Sequence, residues 1–203
     1  MSKVAIKGNA SGTGTFTIQS PATNTDRVLS LPDEAGTVLT SASSINGTIT
    51  NVDFWALTTN TSVSSGIQVL TSNWARFTSS SDHPASVGSA MTESSGVFTF
   101  PSTGIWLVGF KVVHLLTGGT TGYVGNFIQV SENGGSSFSN ASVGWGSAPS
   151  NAYSAHFNLY PIDVSNISNI KVRFATENAQ SGSMQGAATE ARTSAIFIRV
   201  GDT

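Results

Sequence analysis

The sequence contains no cysteine. Disulfides, thiolate metal sites and cysteine nucleophiles are therefore excluded. A rigid β-protein without disulfides needs another source of stability, and oligomerisation is the usual one. Charge is also scarce. Only 10% of the 203 residues are charged, 9 basic against 11 acidic, giving a net charge of −2. No basic cluster tracks phosphates, so nucleic-acid binding is disfavoured. So little charge combined with many aromatics also argues against disorder. No apolar run approaches the roughly 18 residues that span a bilayer, and no membrane insertion is expected. The opening MSKVAIKGNASGTG is basic but lacks the apolar centre of a secretory signal. The mature protein is expected to start near Met1 and to be made in a cytoplasm. Amphipathic helix patterns are missing throughout.

What the chain has is glycine, 21 of 203 residues and above the ~7% average, together with abundant Ser and Thr. Its organising stretch is Gly96 to Val113, GVFTFPSTGIWLVGFKVV. A short strand, Val97 to Phe100, runs into a Pro101-Ser102-Thr103-Gly104 turn, where proline presets φ and glycine tolerates φ > 0. The long apolar run that follows, Ile105 to Val113, predicts a strand buried on both faces and central to a sandwich.

Ten strands are expected from Asp53 onward: Phe54–Leu57, Ile67–Leu70, Trp74–Phe77, Val97–Phe100, Ile105–Leu115, Tyr123–Ser131, Ser137–Trp145, Tyr153–Tyr160, Ile170–Thr176 and Ala195–Val200. Glu132-Asn133-Gly134-Gly135 signals a hairpin, and Thr117-Gly118-Gly119-Thr120 a second one. Many short strands without helices predict an all-β sandwich or jelly roll. Residues 53–203 form this head, residues 41–52 a small polar linker, and residues 1–40 a separate segment. That segment has three apolar patches: Phe16 with Ile18, Val28 to Leu31, and Val38 with Leu39. Strands this small make no core of their own. They are expected to pack against other chains, with a flexible extension as the other reading.

Catalytic patterns are lacking. His83, His114 and His156 are far apart in sequence and fall in no metal-binding motif. They are read as polar residues of surface loops or strands. The eleven acids stand mostly in turns, where short acids bond the local backbone, and no pair marks a glycosidase site. The chain is expected not to be an enzyme. Trp55, Trp74 and Trp106 read as core. Trp145, between Gly144 and Gly146, is the best candidate for an exposed aromatic able to stack on a sugar ring.

Two resemblances attach to these residues. The run Ser20-Pro21-x-Thr23-Asn24-x-Asp26-Arg27-x-Leu29-x-Leu31-Pro32-Asp33-x-x-Gly36-Thr37-Val38-Leu39 resembles short units of bacteriophage tail-fibre and appendage proteins. It covers about the first fifth of the chain and implies a virion location, with attachment to other virion structural proteins through residues 1–40.

Gly96, Phe98, Pro101, Gly104 and Trp106, with the closing AIFIRVG of Ala195 to Gly201, resemble the jelly roll of the tumour necrosis factor superfamily and of complement-type globular heads. That likeness implies a ten-stranded jelly roll, preceded here by the short β-rich attachment segment, and a homotrimer. In the last strand, side chains alternate between faces. The branched row Ile196, Ile198 and Val200 is expected inside, with Ala195, Phe197 and Arg199 outward. The resemblance then puts Phe197 at the three-fold axis and Arg199 at its edge or paired with a neighbouring chain. Complement-type heads also imply a Ca²⁺ site, for which Asp82, Glu177 and Glu190 are the candidate ligands. Otherwise no cofactor is expected. The function these readings imply is a fibre or decoration protein whose trimeric head adheres to host-surface glycan, Trp145 being the candidate contact. A decoration protein without a receptor and a non-viral bacterial lectin-like adhesin are the alternatives.

Overall fold

The computed structural model describes residues 11–15, 17, 22–26, 28, 49–77, 86–117 and 122–203. Two compact units divide the chain, Met1–Val38 and Leu39–Thr203. In the first, the candidate strands lie outside the described residues apart from Val28, which is exposed and not in a strand.

The second unit is all β, with fourteen strands among the described residues. They are β1 (Asn51–Leu57), β2 (Thr61–Val63), β3 (Gly66–Val69), β4 (Trp74–Arg76), β5 (Ser86–Val87), β6 (Thr92–Ser94) and β7 (Val97–Thr99). After these come β8 (Gly104–Leu116), β9 (Gly122–Ser131), β10 (Ser139–Ala148), β11 (Tyr153–Val164), β12 (Lys171–Asn178), β13 (Gly182–Met184) and β14 (Ser194–Gly201). All ten expected strands are present. The four additional ones, β2, β5, β6 and β13, are two or three residues long and carry no apolar alternation for a sequence reading to detect. The first strand starts at Asn51, inside the expected linker.

Two antiparallel sheets face each other. The larger runs β2-β13-β8-β14-β1-β4, with β11 on the other edge of β8 and β5 beside β1. The smaller runs β10-β9-β12-β7-β6, with β3 beside β12. As expected, β9 and β10 form a hairpin through Asn133-Gly134-Gly135, its turn fastened by bonds among Ser131, Asn133 and Ser137. The hairpin expected between β8 and β9 does not form. These strands belong to different sheets. Residues 118–121 lie outside the described set.

The motif glycines have geometric reasons. Ser95 and Gly96 both have positive φ, 51° and 80°, and close the two-residue β6–β7 turn. At Gly104, φ is 135°, and a Cβ would stand 2.5 Å from the Arg199 guanidinium and 2.6 Å from the Gly201 carbonyl.

The interior is aromatic. Phe98, Phe100, Phe110, Phe174, Phe197 and Trp106 are fully buried, with Trp55 and Trp74 nearly so. Phe110 stacks on Phe174 at 4.6 Å, and Phe98 lies 5.2 Å from Phe197. Such pairs add about 0.5–1.5 kcal/mol each beyond their buried area.

Two expectations are corrected here. Only one face of β8 is fully covered: Trp106, Val108, Phe110, Val112, His114 and Leu116 are buried, whereas Ile105, Leu107, Val113 and Leu115 on the other face are half-exposed. In β14 the rows are reversed. Ala195 and Phe197 point inward and are fully buried, while Ile196 and Ile198 face out and Val200 is exposed. The reason is cross-strand packing, since Phe197 pairs with the inward Val108 of β8 and the inward Asp53 of β1. Arg199 is held within its own chain, donating to the Thr103 carbonyl at 2.9 Å and pairing with Asp202.

Candidate functional site: the outer faces of the sandwich

The outer face of the larger sheet is assembled by register. Ile196 of β14 lies beside Gly109 of β8 and Phe54 of β1, and Ile198 beside Leu107 and Val52. On the other edge of β8, Phe157, Leu159 and Tyr153 of β11 lie beside Lys111, Gly109 and Leu115. Phe157 leans over Gly109, where an added Cβ would come within 3.0 Å of its ring and 2.8 Å of Ile196. The result is an outer face rich in apolar side chains, broken by Lys111, in which Phe157 is 58% and Leu159 48% exposed. Scattered exposed apolar residues are normal, but a contiguous patch over several strands marks a contact surface.

The outer face of the smaller sheet carries Trp145, 60% exposed. Its indole lies over Gly125, where a Cβ would stand 2.8 Å away, and its edge meets Phe127 at 5.8 Å. Glu177 of β12, on the far side of β9, fixes it: Trp145 Nε1 donates to Glu177 Oε2 at 2.9 Å, and the Tyr123 hydroxyl donates to Oε1 at 3.3 Å. One carboxylate thus holds two exposed aromatic rings. The glycines flanking Trp145 serve the opposite face. A Cβ at Gly144 would meet Asn158 at 2.6 Å, and one at Gly146 would meet His156 at 2.0 Å, so they let β10 press against β11. Sequence reasoning identified Trp145 but not its partners. Glu177 and Tyr123 are 32 and 22 positions away, and only strand pairing brings them together.

The remaining polar candidates are distributed as follows. Asp82 and His83 lie outside the described residues. Glu190 pairs with Arg192 at 2.5 Å, and Glu177 is engaged as above, so these two candidates for Ca²⁺ each have a partner within the chain. No group of three or more His, Cys, Asp or Glu suited to a metal occurs among the described residues. Asp53, unremarkable in sequence, is buried and accepts from Arg76 Nε at 3.0 Å, Trp55 Nε1 at 3.0 Å and the Met91 amide at 2.8 Å. This is a structural clamp between β1 and β4. His114 and His156 do not stand apart as polar surface residues. Both point between the sheets, their ring centroids 6.4 Å apart, and His114 is fully buried. Burial, with repulsion from His156, lowers the His114 pKa to about 4, and burial also lowers that of His156.

No sequence family matches the chain, and no curated protein does. Similar solved structures exist. Eiger TNF from S. frugiperda is 13% identical with a TM-score of 0.55, covering 75% of this chain and 93% of that one. Murine APRIL at pH 5.0 is 13% identical with a TM-score of 0.52, covering 73% and 98%. PRD1 vertex protein P5 is 14% identical with a TM-score of 0.45, covering 79% of this chain and 85% of that one. At such identities the likeness concerns the fold, and the fold is a tumour necrosis factor-like jelly roll.

Proposed function

We propose that the chain is a non-enzymatic bacteriophage virion appendage protein, fibre or decoration, whose jelly-roll head forms a homotrimer. The observation that carries this reading is the apolar outer face of the larger sheet. Full burial of side chains such as Phe157 and Leu159 is worth about 1.5–3 kcal/mol each, and a second and third copy of the same face supply that burial. Residues 1–40 attach the protein to other virion proteins, a reading supported by their resemblance to appendage units. The head faces the host surface. Trp145 and Tyr123, held by Glu177, form the rigid aromatic platform on which a glycan ring stacks. Three such platforms on one rigid head raise weak single-site affinity through avidity. The platform favours adhesion over decoration alone.

Light scattering on the eluting protein tests the assembly. The parent is expected as a trimer and Phe157→Asp as a folded monomer. A monomeric parent rules the reading out. Deleting residues 1–40 is expected to leave a folded head that no longer enters particles.

A further inference from the structure

The outer face of the smaller sheet continues beyond the aromatic platform, and strand register sets its rows. Trp145, Gly125, Glu177 and Ile67 lie side by side in one row. The next row holds Val143, Phe127, Ala175 and Val69. The third holds Asn140, Gln129, Arg173 and Val97. Alternate residues of a strand share a face, so Arg173 stands on the same surface as Trp145. It is four residues along β12 from Glu177, an offset of about 13 Å.

Arg173 is held in place. Its guanidinium lies over the Phe138 ring at 4.1 Å, and its Nε donates to Gln129 Oε1 at 2.7 Å. Gln129 is itself buried and donates through Nε2 to Asn140 Oδ1 at 2.8 Å. The plane and the Nε edge are thus fixed, while the two Nη nitrogens make no hydrogen bond among the described residues.

Its charge is also uncompensated. Four arginines lie among the described residues. Three of them pair with a carboxylate: Arg76 with Asp53, Arg192 with Glu190 and Arg199 with Asp202. Arg173 has no such partner among the described residues. Lys171, two residues away on the same face, adds a second positive charge, its Nζ donating to the Ile167 carbonyl at 2.8 Å. Glu132 lines the nearby hairpin cleft with Phe138 and forms no ion pair with either cation. An oriented guanidinium with both Nη nitrogens free matches a planar carboxylate, which it holds by two parallel bonds.

We propose, resting on the adhesion reading of Trp145, that this face takes an acidic oligosaccharide, with a carboxylate-bearing sugar at Arg173 and Lys171 and a neutral ring stacked on Trp145. Charge sets the direction of the glycan. The Glu177 carboxylate, bonded to both platform rings, repels a second acid there, so the acidic sugar belongs at the Arg173 end. Between the ends Phe127 and Ala175 are buried and Gly125 has no side chain, which leaves a low floor for an intervening sugar.

The full-length protein is applied to an array of neutral, carboxylated and sulfated oligosaccharides, the carboxylated ones bearing uronate or sialate. Binding is expected on the carboxylated glycans. A carboxylated oligosaccharide that binds is then compared with its own methyl ester, a test that needs no variant. Hydrogen bonds to a charged group are worth about tenfold or more in affinity, so the ester should bind at least that much more weakly. Arg173→Gln should weaken binding of the acid by the same factor and leave binding of the ester unchanged, whereas Trp145→Ala should weaken both. Arg173→Lys, which keeps the charge and loses the fork, should fall between parent and Arg173→Gln. A preference for neutral or sulfated glycans overturns the proposal and leaves adhesion standing. So does equal binding of acid and ester, or parental binding of the acid by Arg173→Gln. Binding to no glycan at all removes the adhesion reading and the proposal together.

Discussion

The two faces of the larger sheet are almost equally apolar, yet one chain covers only one of them. The inner face presents Trp106, Val108, Phe110 and Phe197, all fully buried against the smaller sheet. The outer face presents Leu107, Ile196 and Ile198, which are partly exposed, and Phe157 and Leu159, which are 58% and 48% open. An apolar row is therefore no sign of the interior of a chain. It shows only that the row is covered somewhere, and a row left open within the chain points to a partner outside it.

The sharpest way to break this comparison is to place the same charge on each face. Phe197→Asp puts a carboxylate among Phe98, Phe100 and Phe174, where no partner compensates it. The head is expected not to fold. The milder Phe197→Ala should cost about 3–5 kcal/mol in denaturant unfolding. A Phe197→Asp head with parental stability and altered oligomeric state would return Phe197 to the outer face.

Next in size is the response to acid, which acts between the sheets rather than on either outer face. Folding lowers the pKa of His114 from 6.5 to about 4 and also lowers that of His156. The unfolded chain therefore binds more protons than the folded one across that window. Stability is complete above pH 6.5 and falls as the pH drops toward 4, by about 3 kcal/mol for His114 alone. Denaturant midpoints measured from pH 7.5 to 4 should show this slope, and His114→Gln should flatten it.

A charge on the outer face gives a smaller change in the fold and a larger one in assembly. Phe157→Asp is expected to shift the stability of an isolated head by no more than about 1 kcal/mol, while light scattering reports loss of the oligomer. Unfolding of this variant, with no soluble monomer, would mean that the outer face supports the fold itself. Smallest of all is Trp145→Ala on the other sheet. It should move thermal stability by about 0.5 kcal/mol, the range of ordinary surface substitutions, and abolish carbohydrate binding in a glycan-array assay. Retained glycan binding would remove the platform from the adhesion reading.

The sequence by itself determined the fold class and the place of every long strand. Alternating and continuous apolar runs, Gly96 and Gly104 at their turns, and Asn133-Gly134-Gly135 at the hairpin are local signals, and local backbone geometry follows from them. It also singled out Trp145. It did not determine which way each strand faces. In β14 the rows Ala195-Phe197 and Ile196-Ile198 are both apolar, and a period of two supplies parity without sign. Only the pairing of Phe197 with Val108, and the aromatic cluster beyond it, decided that Phe197 lies inside. Sheet order decided the rest. It put β8 and β9 in opposite sheets, brought Glu177 to Trp145 and Tyr123, joined Asp53 to Arg76, and converged His114 and His156. These partners are separated by 23 to 54 residues, and no local pattern encodes a meeting at that distance. It is produced only when the two sheets close around a shared core.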